Sequence, residues 1–390
     1  MRLSSRMGLI KPSATLAINA KAMELKAKGV SVISLAVGEP DFDTPEFIRE
    51  AAKKAIDEGF TRYTQVGGIP ALRKAAANYF KKYHGVEAEA KNIIITNGGK
   101  QALYGIMQAL LNPGDAVLIP SPYWVSYPEM ATMAGATSIF VPTNIENDFK
   151  VTPDQLEASL TPDVRMLVIN SPSNPSGACY SRQELDAIME WAIGRGLFVV
   201  ADEIYEQLVY APAESASTAT WWARYPEQVA IVNGLSKAYC MTGWRVGFAL
   251  ADAALIKAMD QMQGQVTSNV CSVAQRAALA ALEGPDDSII AMREAFKRRR
   301  DMVFAEVSTW PGVRCPKPDG SFYFFLDFTA LLGPDCPDDN VMCTRLLEEA
   351  HVATVPGTAF GMPGCLRISY AVADETLAEA LKRMRKVMVK

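Results

Sequence analysis

Short apolar runs alternate with helical patterns through most of the chain. The runs 92–96, 116–119, 137–141, 166–169, 197–201 and 229–232 are apolar on both faces and too short for helices. Between them, apolar residues at helical spacing predict helices over 100–111, 123–134 and 181–195. Strands without a polar face, separated by helices, predict a mainly parallel, doubly wound sheet covered on both sides. This α/β domain is expected over about residues 46–285. After Pro285 the order changes to a helix (289–308), a strand (322–328), a helix (340–350), two short strands and a last helix (374–387). That pattern predicts a smaller α+β domain over 286–390. The segment 1–45, with a helical stretch at 15–28 and a strand at 30–35, is expected to pack on the smaller domain.

Composition adds limits. A chain of 390 residues exceeds one ordinary core, which agrees with two domains. The net charge of -4 gives no reason to expect a nucleic-acid or acidic-lipid partner. The basic run Lys297-Arg298-Arg299-Arg300 lies inside a helical pattern and is read as a solvated helix face. No window reaches the roughly 20 apolar residues of a membrane span, and the first residues carry no signal-peptide pattern. A cytoplasmic protein is therefore expected. Seven cysteines, an odd number with no C-x-x-C pair, read as reduced thiols. Only His84 and His351 are present, and both are read as structural; no zinc-ligand pattern and no G-x-S-x-G nucleophile motif occurs.

In parallel α/β sheets, ligands sit beyond the carboxyl ends of the strands. After the run at 92–96 come Gly98, Gly99 and Lys100, two glycines opening a helix. Its free amides and dipole make an anion site, although a simple tight turn would look the same. After 166–169, the proline-rigid loop 170–177 holds Asn174 in one place. After 197–201 comes Asp202, followed by Glu203, Ile204 and Tyr205. A buried acid there needs a cation such as a protonated pyridine nitrogen, or serves as a helix cap or local ion pair. After 229–232 come Ser236 and Lys237, with Arg245 eight residues beyond the lysine. Small, apolar neighbours solvate an amine poorly and lower its pKa, which suits a nucleophile and base. Arg245 could grip a phosphate bidentately. In Leu366-Arg367-Ile368, Arg367 faces away from its apolar neighbours, either to solvent or to a crevice that takes a carboxylate.

Taken together, Ser236-Lys237 with Arg245 and Gly247, the segments Gly38-Glu39-Pro40-Asp41-Phe42, Ser121-Pro122-Tyr123-Trp124, Asn174-Pro175 with Gly177, Asp202-Glu203-Ile204-Tyr205, and Arg367 resemble the class I/II aminotransferases of pyridoxal-phosphate fold type I. The likeness covers nearly the whole chain and is nearest the bacterial aspartate-aminotransferase-like enzymes. It implies pyridoxal 5'-phosphate as cofactor, carried covalently by Lys237, which also moves the proton at the substrate α-carbon. By the same resemblance, Asp202 pairs with the pyridine nitrogen, Asn174 and Tyr205 bond the ring oxygen, and Trp124 stacks on the ring. Gly98, Gly99 and Lys100 (through backbone amides), Ser236 and Arg245 hold the phosphate. Arg367 binds the substrate carboxylate near Gly38, Trp124 and Asn174. Tyr63 resembles a tyrosine that reaches the phosphate in the neighbouring subunit, which implies a homodimer with shared sites. Gly234 stands where some relatives have a hydroxyl residue.

The implied reaction is ping-pong transfer of an amino group from an L-amino acid to a 2-oxo acid, with 2-oxoglutarate the expected acceptor. The same residues would serve a Cβ-lyase or synthase of this fold; a non-enzymatic regulator would need a DNA-binding module that the chain does not carry. Aspartate is the favoured substrate, ahead of alanine, aromatic amino acids and prephenate. An acidic substrate needs a second cation, yet the candidate position on the helix after the glycines, Gln108, is neutral, while Thr15 offers a hydroxyl.

Overall fold

The computed structural model describes residues 1–12 and 14–389. In chain order its strands are β1 (Ile33–Ser34), β2 (Ile93–Thr96), β3 (Ala116–Ser121), β4 (Thr137–Pro142), β5 (Val164–Asn170), β6 (Phe198–Asp202), β7 (Val229–Gly234), β8 (Gly247–Leu250), β9 (Tyr323–Asp327), β10 (Val352–Ala353), β11 (Val355–Pro356) and β12 (Cys365–Ser369). Seven of them form one sheet in the order β2-β8-β7-β6-β5-β3-β4. Each of the six apolar runs is a strand of this sheet. Only β8 in this sheet runs against the rest, antiparallel to both β2 and β7. The sheet is thus mainly parallel, as the pattern predicts.

Side chains alternate along each strand, and both faces are covered. Ile93, Ile95, Leu118, Leu167, Val199 and Ile231 enter the core on one face; Ile94, Val117, Met166, Val168, Val200 and Val232 enter the core on the other. A second core gathers around β9 and β12 with the helices Asp287–Val307, Asp339–Glu348 and Asp374–Met388. The sheet there has the order β11-β12-β9. The N-terminal segment joins it: β1 pairs in parallel with β10, and the Ser369 N–H donates to the Leu35 carbonyl at 2.8 Å. Among the described residues, no helix is long and apolar enough to cross a membrane.

Two expectations need correction. The helix expected over 123–134 is only Tyr127–Met133. Pro128 has no N–H and fits only the first turn, so Tyr123 and Trp124 stay in the preceding loop. The basic run is not a solvated face. Arg299 and Arg300 are 6% and 4% exposed. They share the inward face of their helix with Phe296, Val303 and Val307. Arg299 pairs with Asp41 at 2.7 Å and Asp374 at 2.8 Å, and Arg300 pairs with Asp301 at 2.8 Å. Four consecutive residues on a helix span the full circumference, so two of them had to face inward.

His84 closes the helix Pro70–His84 and lies 3.0 Å from the Glu206 carboxylate. Burial pushes its pKa down, but the Glu206 contact outweighs this and the net shift is upward.

Loop 60–69, which carries Tyr63, is pinned from behind by two buried glutamines. Gln275 accepts from the Ile69 N–H at 2.8 Å and donates to the Val270 carbonyl and the Thr64 hydroxyl at 2.7 and 3.0 Å. Gln263 donates to the carbonyls of Val66 and Ile95 at 2.8 and 3.0 Å. Gln275→Leu should leave the Ile69 amide unsatisfied and cost about 1–3 kcal/mol. Urea unfolding measures that loss, and hydrogen exchange should locate it at residues 64–69.

Candidate active site

A cavity of about 370 Å³ opens at the carboxyl ends of β5, β6 and β7 and is walled by the second unit. Doubly wound sheets place their ligands there. Asp202 ends β6 and is buried. Its carboxylate accepts from the Tyr127 hydroxyl at 2.7 Å and the Ile204 N–H at 3.3 Å. Neither donor is charged, and among the described residues Asp202 forms no ion pair. Burial therefore pushes its pKa up to about 6, despite those hydrogen bonds and the Lys237 charge.

Lys237 follows β7 and lies across the cavity from Asp202. Its ammonium donates to the Gly38 carbonyl at 2.5 Å and lies 5.9 Å from the Tyr205 ring centre. Burial lowers its pKa to about 8; Glu39 opposes this, and Arg367 and Arg245 add to the lowering. Tyr205 is buried, and its hydroxyl is 3.1 Å from that of Tyr323. Ser236 lines the same floor.

The glycine turn sits beside this floor. Gly98 has φ +79°, the left-handed region, and caps the helix Gly99–Leu110. A Cβ on Gly98 would come within 2.5 Å of the Arg245 guanidinium, so glycine lets the cation lie against the helix start. Arg245 is held by the Thr242 carbonyl at 2.9 Å and, among the described residues, has no carboxylate partner. The first-turn amides of this helix, at Gly99 and Lys100, have no intrahelical acceptor. Cation and amides together form an anion cradle. Gly234 pairs with Gly247 across β7 and β8, where a Cβ would lie 3.0 Å from the Gly247 Cα. A hydroxyl side chain at 234 would therefore push these strands apart.

Arg367, on β12, forms the far wall and is 2% exposed. It donates to the Asn174 side-chain oxygen at 2.8 Å and the Ala36 carbonyl at 2.7 Å, while its buried Nε has no partner. The Tyr323 ring lies 4.4 Å from the guanidinium. Asn174 is fixed in turn: its N–H donates to Asn170, which donates to the Asp202 carbonyl, both at 2.8 Å. Gly38 has no room for a side chain, because a Cβ would overlap the Tyr323 hydroxyl.

The cavity thus gathers Lys237, Asp202, Tyr205, Gly99, Lys100, Trp124, Asn174, Ser236, Arg245, Arg367 and Gly38, with Gly98 against Arg245. Tyr63 is not among them; it is 90% exposed, outside the cavity of its own chain. Gln108 does not line the cavity, whereas Thr15 does. Sequence reasoning missed four contributors. Tyr127 and Tyr323 support Asp202 and Tyr205, and Glu39 stands at the mouth, accepting from the Thr242 hydroxyl. The fourth is the Lys100 side chain, sought only for its amide. Its ammonium enters the cavity 4.9 Å from the Trp124 ring centre, where burial and Arg245 lower its pKa. Its place at the second helical position was the available signal.

Residues 30–384 match the family model of the class I and II aminotransferases. The chain is 46% identical over 390 residues to an aspartate/prephenate aminotransferase of Cereibacter sphaeroides, covering 98% of both chains. It is 44% identical to an aspartate aminotransferase of Geobacillus stearothermophilus, covering 100% of this chain and 99% of that one. It superposes on the aspartate aminotransferase of Thermus thermophilus solved with maleate at a TM-score of 0.94, with 43% identity over 99% of this chain and 100% of that one. The family model and these relatives identify the fold, with a lysine and an acid at neighbouring strand ends, as that of a transaminase. The chain belongs to the class I and II aminotransferases.

The Asp202 carboxyl titrates higher in the folded chain than in the unfolded one. Its contribution to stability is complete below about pH 3.8 and is lost as pH rises through about 6. Asp202→Asn should therefore stabilise the ligand-free protein at pH 8 by about 1–3 kcal/mol and have little effect near pH 4. Urea midpoints at the two pH values provide the check, and a less stable variant at pH 8 would contradict it.

Proposed function

We propose that the chain is a cytoplasmic, pyridoxal-phosphate-dependent aminotransferase with an acidic amino acid, aspartate, as preferred donor and 2-oxoglutarate as acceptor. The observation that carries this reading is the pair of buried, opposite charges, Asp202 and Arg367, neither in an ion pair among the described residues, that line one cavity with the amine of Lys237. The cofactor fits these residues by chemistry. Its pyridine nitrogen is the cation that Asp202 lacks, its phosphate is the dianion that Arg245 and the amides of Gly99 and Lys100 suit, and its aldehyde is the partner of an amine. Ser236 would help to hold the phosphate, Trp124 would cover the ring, and Asn174 and Tyr205 would bond its oxygen.

The bound group supplies an electron sink for the pair released at the substrate α-carbon. The residues supply the rest. Asp202 keeps the ring nitrogen protonated. Arg367 lines the cavity and would take the substrate carboxylate, and its contacts with Asn174 and Ala36 fix the direction of the fork. Burial lowers the pKa of Lys237 to about 8, which raises its neutral fraction near neutral pH far above that of an ordinary lysine, so it can take the α-proton and return it. Lys100 is a further cation in the cavity, beside Lys237, Arg245 and Arg367, and suits the distal carboxylate of an acidic substrate. The Thermus relative, solved with a dicarboxylate, supports that assignment by analogy. The Cereibacter relative's name keeps prephenate among the candidates. Tyr63, exposed on a pinned loop, is assigned to the cofactor phosphate of a second copy in a homodimer with shared sites.

A panel of amino donors with 2-oxoglutarate, run on two variants, tests this reading. Lys100→Met should lower kcat/KM for aspartate by about tenfold or more and leave alanine nearly unchanged. Arg367→Lys should weaken every donor and acceptor, because all share the α-carboxylate. Equal losses for aspartate and alanine in Lys100→Met would remove the second-cation assignment.

A further inference from the structure

We propose that Arg299 is a positioning residue for substrate binding, its ion pair with Asp41 holding segment 38–42 as the cavity wall over Lys237. The inference rests on the reading of this cavity as the transamination site.

Beyond Leu35, whose backbone bonds to Ala353 and Ser369, residues 36–45 belong to no helix or strand, so no ladder of backbone hydrogen bonds holds them. This segment nevertheless carries Gly38, whose carbonyl receives the Lys237 ammonium, and Glu39 at the cavity mouth. Its attachments come from three directions. Arg367 holds the Ala36 carbonyl at 2.7 Å. The lysine loop holds the other end: Thr44 donates to the Cys240 carbonyl at 2.6 Å and accepts from the Trp244 indole at 3.0 Å. Between them stands Asp41, and among the described residues its only ion pair is with Arg299, at 2.7 Å.

Arg299 is built to hold a fixed point. Its guanidinium is buried between two carboxylates, Asp41 and the Asp374 at the start of the last helix. It also lies 5.4 Å from the Phe42 ring centre and 5.6 Å from that of Phe296. Those rings meet edge to face at 5.7 Å, so residues 41 and 42 are gripped by charge and by stacking. A planar cation with opposed carboxylates has one low-energy orientation, which a lysine reproduces only in part. Lys237 and Asp202 are held by the central sheet and do not need this clamp. The wall does.

The test uses holoenzyme variants, steady-state kinetics and hydrogen exchange. In Arg299→Met and in Asp41→Asn, KM for donor and acceptor should rise about tenfold while kcat changes by less than about threefold. Amide exchange should quicken mainly within residues 38–44. Arg299→Lys should recover part of the KM loss, and Asp374→Asn, which keeps the Asp41 pair, should stay near wild type. Combining Arg299→Met with Asp41→Asn should add little to either alone. Unchanged KM values, additive losses, or exchange that quickens in the helices Asp287–Val307 and Asp374–Met388 with 38–44 still protected would overturn the proposal. If Arg299→Met does not fold, Asp41→Asn alone decides by the same readouts. A wild-type protein without transaminase activity would refute the functional reading instead, and the exchange comparison would still judge the clamp.

Discussion

The site depends on two opposite charges buried at a cavity without partners. Removing a carboxylate or a guanidinium from water costs several kcal/mol unless charge and hydrogen bonds replace the lost hydration. Asp202 receives two neutral hydrogen bonds, and Arg367 keeps a free Nε. Neither neutralises the other: among the described residues they form no ion pair. A ligand with a cation at one end and a carboxylate at the other relieves both. The free chain is therefore destabilised at the place where its ligand binds, and binding recovers that cost.

The surrounding structure keeps these charges apart and aimed. Asp202 and Lys237 follow neighbouring strands of the large sheet, so their spacing comes from the strand ladder between β6 and β7. Arg367 comes from β12 in a different sheet and is aimed by Asn174, on a loop that Asn170 ties back to β6. On the proposed function, substrate would be gripped between the layer that holds the cofactor and a separate layer. Segment 35–45, attached to both through Arg367, Arg299 and Thr44, bridges the gap. A floor on a rigid sheet with one wall on an irregular segment suits a site that must admit two substrates in turn.

How much of this was legible in the sequence follows from the physics of each element. Five of the six parallel strands were legible because burial on both faces leaves apolar runs, and the exposed edge strand β4 by its short run of β-branched and aromatic residues. Strand β8 was not: Gly247–Leu250 is four residues long, follows the lysine loop directly, and looks like its continuation. Asp202, Lys237 and Arg245 were found because polar residues just past apolar runs mark strand ends. Tyr323 was hidden among five consecutive buried residues of β9, where an aromatic reads as core. Lys100 was recognised for its amide, yet its side-chain direction depends on a helix start that spacing alone does not orient. Arg299 and Arg300 were misread because a run of like charges suggests solvent, whereas the Arg299 partners, Asp41 and Asp374, lie far along the chain, and the burial of Arg300 beside Asp301 depends on which face of the helix meets the core.

The central claim is that Asp202 lacks a cationic partner until the cofactor supplies one. The most direct measurement is the titration of the Asp202 carboxyl carbon by NMR in selectively labelled protein, without and with pyridoxal 5'-phosphate. The account predicts a midpoint near 6 without the cofactor and a shift to well below the ordinary carboxylate range with it. A midpoint already at the ordinary aspartate value in the cofactor-free protein, unchanged on binding, would contradict it.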